Sequence, residues 1–107
     1  MGLASTVQRS AETWDAAACA KLLQRADAIL RERFPGAETH LEPSPYNHAI
    51  GGYLVWDGFD GVDAKDRQRR MWEVFESEFT EEEMEHITAI LTVTPLTYES
   101  ILENNRS

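Results

Sequence analysis

The chain has a single cysteine in 107 residues, Cys19, which excludes an internal disulfide and suits a reducing compartment. It has no apolar run of membrane-spanning length, and residues 1–10 lack the apolar centre of a secretory signal, so no membrane contact and a cytoplasmic location are expected. Positive charge is scarce. Ten Lys and Arg stand against 19 Asp and Glu, a formal net charge of -9, and such a chain repels nucleic acid and anionic membrane. No nucleophile, base and orienting partner fall at a spacing that reads as catalytic machinery, so no enzyme is expected. No repeat or low-complexity linker divides the sequence, and its length fits one domain with a modest core. The expected organisation is a flexible N-terminus over 1–10, a single domain over 11–104 and a frayed tail over 105–107.

What is present is a run of amphipathic segments. From about Ala11, Trp14, Ala18, Leu22, Ala26, Ile29 and Leu30 recur mostly at three- and four-residue steps, which predicts a helix that Pro35-Gly36 stops. Cys19 lies in it among alanines and reads as a small packing residue. Residues 37–42 alternate weakly and predict a short strand closed by Pro43-Ser44-Pro45. Tyr46-Asn47-His48 follows as a loop, and residues 50–56 predict a second strand. Gly51-Gly52 at its start signals a bulge or the close approach of another backbone. Asp57-Gly58 signals a turn, with Phe59 folding back under the sheet. Asp63 or a neighbour is expected to cap a helix from Ala64 to about Glu78, whose Met71, Val74 and Phe75 form its apolar middle. Arg67, Arg69 and Arg70 make it the main basic cluster. Thr80 with Glu83 matches a capping box and predicts one acidic turn.

The clearest strand pattern comes next. Ile87, Ala89, Leu91 and Val93 alternate with Thr88, Ile90, Thr92 and Thr94, so the first four are expected to face the helices, against Trp14, Leu22, Met71, Val74 and Phe75. Thr94-Pro95 then reads as an N-cap and first helical residue of a last helix to about Asn104, with Leu96, Ile101 and Leu102 as its apolar contacts. Two strands joined by a loop pair antiparallel, and strand, helix, strand favours a parallel right-handed crossover. The expected fold is therefore α+β: a three-stranded mixed sheet with helices packed on one face, in the order α-β-β-α-(turn)-β-α.

At this point the sequence resembles the BolA-like family, whose fold is of the class II K-homology-like kind. The resemblance rests on Val55-Trp56-Asp57-Gly58-Phe59-Asp60-Gly61, similar to the family's strand ending in a phenylalanine and a glycine. It rests also on the arginine-bearing helix start Asp66-Arg67-Gln68-Arg69-Arg70-Met71, on His86 standing nine positions before Pro95 with apolar strand between, and on element order. It covers about Ala26 to Ile101. Gly51-Gly52 and Trp56 depart from the family's usual residues. The resemblance implies a noncatalytic partner of a monothiol glutaredoxin, a heterodimer sharing a [2Fe-2S] cluster in iron-sulfur trafficking or iron and redox sensing. The glutaredoxin and glutathione would supply thiolates, and this chain would supply metal ligands at the matched positions, His86 and, less closely matched, His48. Neutral imidazole binds iron, and histidine in place of thiolate raises a cluster's potential. His40, in the first strand, has no evident partner and reads as exposed.

A second reading belongs to another class, a nucleic-acid-binding transcriptional regulator of K-homology-like fold, because Gly58-Phe59-Asp60-Gly61 spells a Gly-x-x-Gly loop. A phosphate clamp needs approachable N–H groups and positive surroundings, whereas Asp57, Asp60, Asp63 and Asp66 flank this loop. Those aspartates lack the Asp-x-Asp-x-Asp-Gly spacing of a calcium loop.

Overall fold

Asp15 starts the first helix. Its carboxylate accepts the Ala18 N–H at 3.0 Å, which satisfies one of the donors that a first helical turn leaves open. Helix α1 (Ala16–Arg33) then turns Cys19, Leu22, Ala26 and Leu30 inward, and carries Arg31 and Arg33 in its last turn, where the carbonyl end of the dipole favours positive charge. The structure is a computed structural model and describes residues 14–44 and 47–106. The expected flexible stretch 1–10, the expected helix start at 11–13, the loop residues Pro45 and Tyr46, and Ser107 lie outside the described residues.

Strand β1 (Glu38–Pro43) pairs antiparallel with β2 (Ile50–Val55), and β2 pairs parallel with β3 (Ile87–Val93), giving a three-stranded mixed sheet in the order β1-β2-β3. A 3-10 turn (Asp57–Phe59) leads towards α2 (Ala64–Glu78), capped by Asp63 as expected. The single turn α3 (Glu81–Met84) precedes β3, and α4 (Pro95–Arg106) closes the chain, two residues beyond its expected end. The molecule is a small α+β domain. Leu22 and Leu30 of α1, Met71 and Phe75 of α2, and Ile50, Leu54 and Ile90 of the sheet are fully buried together with Phe59, which folds under the sheet as expected. Trp56 closes that end: its ring meets Phe34 and Phe59 edge-on and its Nε1–H donates to Pro35 O at 2.9 Å. A Cβ at Gly58 would stand 2.6 Å from the Trp56 ring, so only glycine fits beneath it.

Two expectations about the layers need correction, and Leu96 and Leu102, expected as apolar contacts of the last helix, are 75% and 41% exposed. Not all helices share one face. Thr39 and Leu54 form a cross-strand pair on the side of α1, where Thr39 Oγ1 bonds to Asp27, so their neighbours His40 and Tyr53 point to the opposite face. Tyr98 of α4 lies there, stacked on His40 at 4.7 Å and 5.4 Å from Tyr53. Three strands about 4.8 Å apart are covered by two helices packed about 8–10 Å apart, so α1 and α2 leave the third helix no room on their side.

The second correction concerns β3. Only Ile87 of the expected inward set joins the core; Ala89 is exposed, Leu91 is 47% exposed, and Val93 is buried beside Val55 on the other face. Ile90 and Thr92 point inward instead. The register explains the inversion: Ile50 pairs with Ile87 and Gly52 with Ile90, so Gly51 alone stands against Thr88 and Ala89. One extra residue in a strand exchanges its faces. The glycine pair makes the bulge possible, as expected. A Cβ on Gly51 would meet Thr88 Oγ1 at 3.1 Å and Ala89 O at 3.2 Å, and one on Gly52 (φ +137°) would lie 1.9 Å from His40 O.

The bulge also decides what the outer edge of β3 presents. Trp56 N–H donates to Val93 O, so Val93 faces β2 and the backbone groups of Ile90 and Thr92 point outward. Gln68 of α2 meets both: its Nε2–H donates to Ile90 O at 3.0 Å and its Oε1 accepts the Thr92 N–H at 2.7 Å. Arg67 Nε–H donates to Thr92 O at 3.3 Å. Two side chains thus close an edge that would otherwise recruit another strand.

Candidate functional site

The parallel strands β2 and β3 start at the same end of the sheet, and the two candidate ligands precede them there. Ile50 N–H donates to His86 O at 2.8 Å, which docks the backbone of His86 beside the start of β2, two residues after His48. The turn before His86 is held by the expected capping box: Thr80 Oγ1 accepts Glu83 N–H at 3.1 Å, and Glu83 Oε1 accepts Thr80 N–H at 2.9 Å. His86 N–H then donates to Glu83 O at 3.0 Å. Arg25 of α1 pairs with Glu83 and lies over the Phe79 ring, so the turn is anchored to the helix layer. The Thr80 N–H bond, reinforced by Arg25, holds the Glu83 carboxyl below the usual glutamate range despite partial desolvation.

His48 is exposed and adopts a left-handed backbone (φ +51°), an uncommon conformation for a residue with a side chain. Asn47 Oδ1 accepts Ala49 N–H at 3.2 Å and supports the turn. Between the histidines stands Trp14. Its indole lies face to face with the His86 imidazole, centroids 3.9 Å apart and planes 13° apart, and its Nε1–H donates to His48 O at 2.9 Å. Helical spacing alone places Trp14 in the stripe facing the sheet. The signal that could have separated it was its place one residue ahead of Asp15, the helix N-cap.

The remaining candidates lie apart. His40 sits on the opposite face, against Tyr98 and 3.4 Å from Glu38. Cys19 is buried, with Sγ 3.8 Å from Ala49 O, and burial pushes its thiol up, in keeping with a packing role. Among the described residues, no group of three or more His, Cys, Asp or Glu side chains is placed to hold a metal ion. No helix among them is long and apolar enough to cross a membrane.

The basic cluster and the Gly-x-x-Gly stretch are spent largely on structure. Arg67 bonds to Thr92 O and, through Nη1, to Val62 O at 2.7 Å, while Arg69 pairs with Asp66 at 2.8 Å. Within the loop, Phe59 N–H donates to Trp56 O, Asp60 N–H to Asp57 O and Val62 N–H to Phe59 O, at 3.1, 3.0 and 2.9 Å. N–H groups already bonded inside a turn are not available to cradle a phosphate. Comparisons of the chain with protein-family models, with curated proteins and with solved structures found no match.

Proposed function

We propose that this chain is a noncatalytic, BolA-like partner of a monothiol glutaredoxin, with which it shares a [2Fe-2S] cluster in iron-sulfur trafficking or iron and redox sensing. One observation carries the reading: His86 and His48 stand at the common start of β2 and β3, where a single indole contacts the His86 ring and the His48 backbone carbonyl. Two imidazoles are too few for a four-ligand cluster, so thiolates from a docked partner and its glutathione complete the set. The donor chemistry fits. An imidazole lone pair lies in the ring plane, so an indole stacked on the ring face does not itself cover the coordinating edge of the half-buried His86, and His48 is exposed. When bound, the cluster supplies one-electron chemistry, and histidine ligation raises its potential above that of an all-thiolate site.

Coexpression with a monothiol glutaredoxin tests this reading. Cluster absorption that depends on this chain is expected, with His86→Ala removing its characteristic bands while docking persists; His48→Ala should change the spectrum or lability less. An unchanged spectrum and stability in the His86→Ala complex would refute the assignment. The nucleic-acid reading has less support, because Arg67 and the Phe59 and Asp60 N–H groups of the loop are engaged internally and the net charge is -9.

A further inference from the structure

We infer that Trp14 is the positioning residue of this site: one indole fixes the ring of the first histidine and the backbone of the second. The inference rests on the two-histidine reading and deepens it.

Trp14 precedes the N-cap Asp15, outside the inward stripe of α1, and it is half-buried against the core cluster. That position gives it two separable contacts. The first is the stack on His86, 3.9 Å between centroids and 13° between planes, which restrains ring rotation without touching the in-plane nitrogens. The second is the 2.9 Å bond from Nε1–H to His48 O, which holds a carbonyl next to a backbone in the left-handed region. A metal-bound histidine is ordinarily oriented by a hydrogen bond from its second nitrogen to a carboxylate or carbonyl. Among the described residues His86 has no such partner, and the restraint comes from the indole face. Both contacts arise within this chain, so the edge is organised before any partner arrives, and less ordering is left for docking to supply.

The test compares Trp14→Ala, which removes both contacts, with Trp14→Phe, which keeps a ring over His86 and loses the N–H bond. The first readout is NMR of the isolated chain. Trp14→Ala should abolish the ring-current upfield shift of the His86 ring protons; Trp14→Phe should keep most of it while shifting the Asn47, His48 and Ala49 amides. The second is cluster release from the glutaredoxin complex to a chelator, expected to rise about tenfold or more in Trp14→Ala and by less in Trp14→Phe. Unshifted His86 protons in Trp14→Ala, or unchanged cluster release despite the lost shift, would overturn the inference. Should Trp14→Ala not fold, Trp14→Phe decides alone: unmoved His48 amides with unchanged release overturn it. His86→Ala separates the two levels. If that variant keeps a normal cluster, the two-histidine reading fails and takes the inference with it; if it loses the cluster while the Trp14 variants release at the native rate, only the inference fails.

Discussion

The indole of Trp14 lies 3.9 Å from the imidazole of His86, nearly parallel to it, and so joins the entrance of α1 to the entrance of β3. Aromatic pairs of this kind contribute about 0.5–1.5 kcal/mol beyond their buried area. His86→Ala is therefore expected to lower unfolding free energy by that amount plus the lost burial of the ring, in all less than about 3 kcal/mol, and to leave the fold intact. Urea denaturation with circular dichroism measures it; a loss above about 3 kcal/mol would mean that the histidine is a core residue, not a half-buried edge residue.

The inverted faces of β3 make a paired prediction. Ile90 is fully buried and Leu91 is 47% exposed. Ile90→Ala should cost about 2–5 kcal/mol through lost transfer energy and a cavity. Leu91→Ala should cost less than about 1.5 kcal/mol. The reverse ranking in denaturant midpoints would restore the simple alternation.

The capped edge of β3 is testable at Gln68 and Arg67. Gln68→Ala leaves Ile90 O and Thr92 N–H without their partners, and Arg67→Ala does the same to Thr92 O and Val62 O. Each is expected to cost about 1–3 kcal/mol. The exposed Arg69, paired with Asp66 on the helix surface, should cost less than about 1 kcal/mol when replaced by alanine. Sedimentation of Gln68→Ala should also show concentration-dependent self-association, since an uncovered edge templates another strand. A stable, monomeric Gln68→Ala would show that the edge has no need of the cap.

Acidification should be felt at Glu83. Its carboxyl is held low chiefly by the Thr80 N–H and then by Arg25. A depressed folded-state pKa contributes stability that is complete above the unfolded value, about 4.3, and is lost as pH falls through the lower folded value. Wild type should thus exceed Glu83→Gln in stability at pH 7, and the gap should close as pH drops below about 4. A gap independent of pH between 7 and 3 would assign the effect to shape, not charge.

The elements of this protein were legible in its sequence because their signals are local. Thr80 and Glu83 specify a capping box through bonds within one turn, Asp63 caps α2 with its own carboxylate, and the Gly51-Gly52 pair marks a bulge because only glycine tolerates that approach. Leu22, Ala26 and Leu30 of the inward stripe of α1 followed from helical spacing alone. Tertiary structure decided what depends on partners distant along the chain. The bulge lies between β2 and β3, so which side of β3 meets the core was set by pairing across strands, and the alternation of Ile87, Ala89, Leu91 and Val93 carried no trace of it. Arg67 read as one of a basic cluster with Arg69 and Arg70, and only the fold brought Thr92 O and Val62 O within its reach. The position of α4 followed from space already filled by α1 and α2. Trp14 had helical spacing yet stood one residue outside the helix, and only the docking of β3 against β2 brought His86 under its ring. Periodicity records which residues tend to be buried; the identity of what they meet is settled by the packing of segments that share no sequence neighbourhood.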